Sequence, residues 1–566
     1  MKTVNLLSAL LFISIVCGSC QDNNYNLKKD IDMNISVGGS QMQVPVGTLE
    51  PITLGRFIKT SDVLLLENGK YLFRKSDKMV ADVPPIPVVE IPAVSPVFEP
   101  QKIEFTMDNL PKGVMAFPPI TITGDFKAVL PPDGAQMDIS QSIPAEVISI
   151  SSAELMSPVP LSISIAIAGL PASINEAWFE NFSIQFPSYI VFTAGQGVDA
   201  NNKLTLNKSF NPSGFTLTLM VSGVELEPGA LSGGMLKISD KVTLGGTLAL
   251  RNVTVDPTQV RQLSLTTKAL LSSMTFGSIT GTFNQKIQVD PFEIAFNDLP
   301  DFLTDKGVVL DLHTVSLDIV ANNPINVGVD AQMNIVPKDA TGAVITQGVV
   351  EQNVYISPST TSRIWISNNQ EAMPQNYTFY ENSRLPWLFR QVPHSMSMDV
   401  VASTDTRDQT QVDMIRNYKI DLDYTIKAPL QFGKDMCIAY NDTFGDVQKS
   451  LKDFINYLSE LDLMVSAVNT IPMDISLSAI PMDAAGKTLS GIIISVEGKI
   501  LSSASSTVKV VLKENVKGEL KKLDKLAMNM TANGATVGAY LEESQDLRLE
   551  LKARIPGGLN IDLNKK

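Results

Sequence analysis

The segment "QEAMPQNYTFYENSRLPWLFRQVPH" gathers Tyr377, Phe379, Tyr380, Trp387 and Phe389 with the guanidinium groups of Arg384 and Arg390. Aromatic faces flanked by arginine stack on sugars or anchor a partner protein, so these seven residues are the candidate ligand-binding set. Groups that make and break bonds are scarce by comparison. His313 and His394 are the only histidines, whereas a zinc site needs several His or Cys ligands and a Ser-His-Asp arrangement needs a histidine beside its nucleophile. "GQG" at Gly195 to Gly197 lacks the third glycine and following helix of a phosphate cradle. "VDANN" lacks the regular ligand spacing and terminal glutamate of an EF-hand, and reads as a hairpin turn. Paired carboxylates for glycoside hydrolysis are a property of the fold, not of the sequence, and the chain has 59 acidic residues from which to choose. Its tryptophans are only Trp178, Trp365 and Trp387, few for a catalytic glycosidase domain. The expectation is a binding protein, not an enzyme, with no cofactor and no metal.

The first residues, "MKTVNLLSALLFISIVCGSCQDNN", place Lys2 before an apolar run and small residues before Cys20, the plan of a cleaved secretory signal. The apolar run is too short for a membrane span. Gly18, Ser19 and Cys20 resemble a bacterial lipobox, with Cys17 where leucine is usual. That resemblance implies removal of residues 1–19, acylation of Cys20 and attachment to the outer membrane by lipid. Asp22, so near the cysteine, is similar to surface-export signals of Bacteroidetes lipoproteins. With 45 basic against 59 acidic residues the net charge is −14, which makes nucleic acid a poor partner. If Cys20 is acylated, Cys437 has no partner for an intramolecular disulfide, and stability must come from buried apolar area.

The elements that must position the aromatic segment are strands. "GFTLTLMVSG", "GGTLALRNVTV", "YKIDLDYTIKA" and "DLRLELKARI" alternate apolar and polar residues between turn-forming residues, the signature of half-buried antiparallel sheets. The spacing predicts one long helix, Phe444 to Leu461, with Val447, Leu451, Phe454, Ile455 and Leu458 on one face and Thr443 and Asp446 as a capping box. A short helix is expected from Thr53 to Thr60. Prolines 84, 85, 87, 92, 96 and 100 predict a stiff extended connector.

One phrase occurs three times: "SPVPLSISIAIAGLP" from Ser157, "NPINVGVDAQMNIVPKDATG" from Asn323 and "NTIPMDISLSAIPMDAAG" from Asn469. The match of the second and third copies continues, "TTSRIWISNN" over "STVKVVLKEN", "HSMSMDV" over "KLAMNMT" and "IDLDYTIKAP" over "LRLELKARIP". Repetition at this length predicts an all-β chain of tandem antiparallel β-sandwich-like blocks with a few short helices. The expected pieces are a signal peptide (1–19), a tether and small module (20–82), a Pro-rich connector (83–100), β blocks over 101–230 and 231–434, and a helix plus β block over 435–566. The aromatic segment falls where the middle block is longer than the third, and insertions into repeated sheets sit in loops, where binding groups collect. The open alternative is that the insertion folds back and buries its aromatics.

Lipobox, N-terminal module and repeated blocks together resemble the large multidomain all-β surface lipoproteins of gut Bacteroidetes, and "LDIVANNPINVGV" is similar to a strand pair of water-stress β-sandwich domains. The first likeness implies location at the cell surface and carries no catalytic motif. Three functions stay open: a binding or assembly module for protein or glycan, a lipid carrier whose sheet closes over the Phe444 to Leu461 helix, and a structural stalk or pilus-associated protein. Acyl chains contribute about 0.8 kcal/mol per buried methylene. Cys20→Ala should therefore move the protein from the membrane to the soluble fraction, as read by immunoblot of fractionated cells.

Overall fold

The computed structural model describes residues 34–37, 42–48, 51–107, 121–256, 263–296, 299–304, 307–445, 458, 460–556 and 559–562. Strands dominate, and nearly every pairing is antiparallel. Among the described residues the α-helices are single turns, Leu54–Phe57, Asp301–Thr304 and Trp387–Arg390. The chain divides into two compact units: Leu54–Ile438 with Asn533–Gln545, and Met1–Thr53 with Ala439–Ala532 and Asp546–Lys566.

The larger unit contains two pairs of sheets. In the first pair, Ile122–Ser142 and Met235–Val255 run side by side along almost their whole length, and Ala177–Gln185 joins the second of them. The other sheet is built on Val147–Ala168, flanked by Phe215–Glu225, Leu263–Leu271 and Met274–Phe283. Alternation decides the faces: Leu161, Ile163 and Ile165 are fully buried, while Ser164 points outward and hydrogen-bonds Thr216 at 3.0 Å. Phe179 and Phe215, one from each sheet, meet edge to face with centroids 5.2 Å apart.

In the second pair, one sheet runs in the order Thr378–Glu381, Thr360–Ser367, Ser316–Asn323, Tyr418–Pro429, Lys70–Val83 and Leu64–Glu67. Facing it, Val329–Lys338 lies between Val350–Ile356 and Ser395–Thr404. Ile319, Ile364 and Ile420 from the first sheet and Val329, Ala331 and Met398 from the second enclose an apolar cavity of only about 40 Å³. The space between these sheets is filled by side chains, as in protein interiors generally.

Several boundaries differ from the sequence-based expectation. A division at 230 would separate Met235–Val255 from Ile122–Ser142, its partner in the same sheet. Segment 20–82 is not a separate module: Met42–Thr48 pairs with Asp546–Ile555, while Lys70–Val83 pairs with Tyr418–Pro429. Such partners lie hundreds of residues away, and alternation along a strand says nothing about which neighbour completes its hydrogen bonds. The Pro-rich stretch is extended, and it is also laid on a sheet, with Glu90–Ile91 paired to Met274 and Thr275 and Val94 bridged to Leu271. Of the predicted Phe444 to Leu461 helix, residues 446–457 and 459 lie outside the described residues. Its ends are strand, since Phe444 closes Cys437–Phe444 and Leu461 belongs to Glu460–Asn469. In the first copy of the repeated phrase the chain does not break: Pro158 sits within Val147–Ala168, where the register shifts between Glu154 and Val159. A bulge accommodates a residue that cannot donate to the ladder.

The second and third copies share one hydrogen-bonded device. Asn323 has no exposed surface; its amide donates to the Val327 carbonyl at 2.9 Å and the Ser357 carbonyl at 3.1 Å, and its oxygen accepts from Ile325 N at 3.0 Å. Asn469 does the same with Met473 O, Leu501 O and Ile471 N at 2.9, 3.1 and 2.9 Å. Farther on, Asp339 and Asp483 each begin a turn closed by the N–H of a glycine with positive φ, Gly342 at 83° and Gly486 at 81°. Only a side chain with both donor and acceptor serves the asparagine position. Asn323→Ala and Asn469→Ala should each lower the unfolding free energy of their own unit by about 3 kcal/mol, because buried backbone groups lose their partners. Asn→Asp at either position should not restore it, as chemical denaturation would show.

Candidate functional site

The insertion of the middle block leaves Thr360–Ser367 and returns at Ser395–Thr404. Its Tyr-Thr-Phe-Tyr alternation gives a short strand, Thr378–Glu381, which lies parallel to Thr360–Ser367 with Trp365 beside Phe379 and Ile366 beside Tyr380. Parallel pairing follows from the chain passing back over residues 368–377 before it pairs. Most of the candidate residues dock the insertion. The Tyr377 hydroxyl donates to Asp318 Oδ2 at 3.3 Å, and the Tyr380 hydroxyl accepts from Tyr355 N at 3.1 Å. Phe379 is half-buried, and Arg384 donates to the Gln347 carbonyl at 3.2 Å. Phe389 is wholly buried, stacked on Phe73 with centroids 5.5 Å apart and edge-on to Phe296 at 5.8 Å.

Trp387 is different. It begins the one-turn helix Trp387–Arg390, so when Phe389 points into the core Trp387 cannot, and the indole is 40% exposed. The Arg390 guanidinium lies 5.0 Å from the centre of the Trp387 ring while pairing with Asp311 at 3.6 Å and Asp435 at 3.2 Å. That pairing fixes the indole's orientation and consumes the arginine's charge. Trp387 borders an open cleft of about 610 Å³, walled by the Asp339 turn and the one-turn 3₁₀-helix Thr346–Gly348, by Gln391, and by the apolar side chains of Val308 and Ile345. Gly348 is required where it is, because a Cβ there would lie 3.0 Å from the Trp387 carbonyl oxygen and 2.7 Å from the Pro337 ring.

The structure thus brings Trp387 and Arg390 together at the cleft and uses Tyr377, Phe379, Tyr380, Arg384 and Phe389 to fasten the insertion. Asp339, Thr346, Gln347 and Gln391, which complete the site, carried no signal beyond the repeated Asp-x-x-Gly turn. Cys20 lies outside the described residues. Among the described residues no group of three or more His, Cys, Asp or Glu is placed to hold a metal, and no helix is long and apolar enough to cross a membrane.

No family model matches the chain, and no curated protein matches it. Among solved structures, a protein of Parabacteroides distasonis thought to be secreted is 17% identical, with a TM-score of 0.39 over 50% of this chain and 90% of its own. The infectious bursal disease virus Gt strain structure covers 87% of this chain and 82% of its own at 10% identity and a TM-score of 0.13. The PBSX exported protein XepA covers 49% and 85% at 8% identity and a TM-score of 0.11. Likenesses this distant carry no argument about activity.

Beneath the insertion is a polar cluster that the sequence did not announce. Asp318 and Trp365 are cross-strand neighbours on the outer face of their sheet, where Trp365 is nevertheless only 4% exposed because Tyr377 packs edge-on against it, centroids 6.4 Å apart. Asp318 Oδ1 and Trp365 Nε1 are both buried without a hydrogen-bond partner. Burial raises the Asp318 carboxyl above the ordinary aspartate range, against the opposing pull of the Tyr377 hydroxyl, Lys427 and Arg363. A pKa raised by folding means that the ionised form favours the unfolded chain: Asp318's contribution is most favourable below the ordinary aspartate pKa and declines as pH rises through the raised value. Asp318→Asn should therefore raise the melting temperature at pH 7, with the gain shrinking toward pH 4 as the wild-type carboxyl protonates.

Proposed function

We propose that this chain is a lipid-anchored surface lipoprotein of the outer membrane that acts as a non-catalytic binding module, and that the cleft at Trp387 is where its ligand docks. One observation carries the reading: in an insertion whose other aromatic residues are engaged in holding it down, a tryptophan is left 40% exposed and held in one orientation over an open cleft. A large side chain exposed at a fixed angle is the usual anchor of a recognition surface. The anchor is the acylated Cys20, and the chain's acidity keeps it from polyanions. A lipid carrier has less support. The sheets of the middle block face each other across a filled core whose cavity of about 40 Å³ is well below the roughly 150 Å³ that holds a benzene ring.

Two variants separate recognition from stapling. Phe389→Ala should cost about 3–5 kcal/mol of stability, the range for emptying a buried phenylalanine site. Trp387→Ala should leave the melting temperature within a few degrees of wild type and abolish retention of the purified protein on an array of immobilised glycans and surface proteins. If Trp387→Ala instead lowers stability and leaves retention unchanged, the exposed indole belongs to the staple and the reading fails.

A further inference from the structure

The polar groups free to meet a ligand at the Trp387 cleft have a consistent character. Thr346, Gln347 and Gln391 are exposed at the cleft, and among the described residues none of their side chains forms a hydrogen bond. The partly exposed Trp387 indole adds Nε1, a donor by its chemistry. Asp339 Oδ1 accepts from Thr341 N, Thr341 Oγ1 and Ala343 N, at 2.8, 2.6 and 3.0 Å, which leaves Oδ2 to accept from outside. Those bonds hold the Asp339 carboxyl below the ordinary aspartate range, so Asp339 presents an ionised carboxylate to the cleft at neutral pH. The cation among the described lining residues, Arg390, is spent on Asp311 and Asp435.

Neutral amides, a hydroxyl and one ionised carboxylate around an aromatic platform match vicinal hydroxyl groups, each both donor and acceptor, on a ring with an apolar C–H face. They do not match a phosphate, sulfate or carboxylate, which would meet Asp339 with no free cation among the described lining residues to offset it. A volume of about 610 Å³ falls within the roughly 300–1,000 Å³ of small-ligand sites and is open enough for a chain to continue beyond it.

Resting on the binding reading above, we infer that the ligand is a neutral glycan: a hexopyranose ring stacks on the exposed part of the Trp387 indole, Gln347, Gln391 and Thr346 bond its hydroxyls, and Asp339 Oδ2 accepts from one of them. Arg390 is a positioning residue that holds the indole.

The test uses the whole mature chain and isothermal titration with four named probes: maltohexaose, mannohexaose, cellohexaose and a sulfated heparin hexasaccharide. At least one neutral hexasaccharide should bind, with little change between 50 and 500 mM NaCl, and the heparin fragment should not. Trp387→Ala should weaken that binding at least 10-fold, and Gln391→Ala, an exposed change that leaves folding intact, by about 3- to 10-fold. If the heparin fragment binds in a Trp387-dependent manner and the neutral sugars do not, the inference is overturned and the cleft remains a binding site. If the retained ligand is a polypeptide lost in Trp387→Ala, the outcome is the same. If no probe binds, or binding is indifferent to both variants, the inference falls, and indifference of every retained ligand to Trp387→Ala removes the binding reading as well.

Discussion

The ring of Phe389 has no accessible surface and lies between Phe73 and Phe296, and the geometry of the Trp387 cleft follows from where that ring must be. Phe73 belongs to Lys70–Val83, a strand that reaches its sheet only by pairing with Tyr418–Pro429, so the pocket that receives Phe389 exists only when segments from both ends of the larger unit have met. Once Phe389 is seated, the single turn Trp387–Arg390 fixes the direction of its neighbours: Leu388 is also buried, Arg390 reaches Asp311 and Asp435, and Trp387 is turned outward. Burying the phenylalanine contributes roughly 2–3 kcal/mol, several times what an exposed ion pair such as Arg390 with Asp435 supplies. Apolar packing therefore sets the position, and charge refines the angle of the indole.

Alternation made the strands legible, because each sheet buries one face and the chain pays for a wrong register with every side chain it turns. The repeat was legible for a related reason: Asn323 and Asn469 close their loops through the same three hydrogen bonds, and a bond set that demands a donor and an acceptor in one small side chain leaves little freedom of residue type. Partners were not legible. Nothing in "KYLFRKSDKMVADV" says that it will lie beside Tyr418–Pro429 and not beside a neighbour in sequence, since a strand's hydrogen-bonding edge is the same for every partner. The division at 230 failed for this reason, and the module expected over 20–82 proved to be strands lent to different sheets.

In the insertion, clustered aromatics marked the right segment while concealing the division of labour within it. Tyr377, Phe379 and Tyr380 alternate as a strand and spend themselves on Asp318, Trp365 and Tyr355, contacts with residues whose own sequence positions predict a polar outer face. Trp365 shows the difficulty. On a two-layer sandwich its register places it toward solvent, and it becomes buried only because a segment absent from the third block covers it. Buried carboxylate oxygens without a partner occur on this outer face in both blocks, Asp318 Oδ1 beneath the insertion and Asp462 Oδ1 in the third block, which has no such segment.

The third block serves as an internal control. There the chain goes from strand Ala504–Glu514 through the one-turn 3₁₀-helix Leu520–Lys522 to Lys525–Gly534, and Leu520 is fully buried, as Phe389 is in the middle block. The return hydrogen bonds correspond, Asp524 N to Met482 O in one block and His394 N to Lys338 O in the other, and so do Leu489 N to Pro481 O and Ile345 N to Pro337 O. Both blocks therefore plug this region with buried apolar side chains around one helical turn, Leu520 and Leu523 in the third block and Leu388 and Phe389 in the middle one, and the third does so with no added strand and no exposed tryptophan. The middle block builds the same plug from a longer segment, adding the strand Thr378–Glu381, the ion-paired Arg390 and the outward Trp387, and the binding role proposed above is the use we assign to that addition.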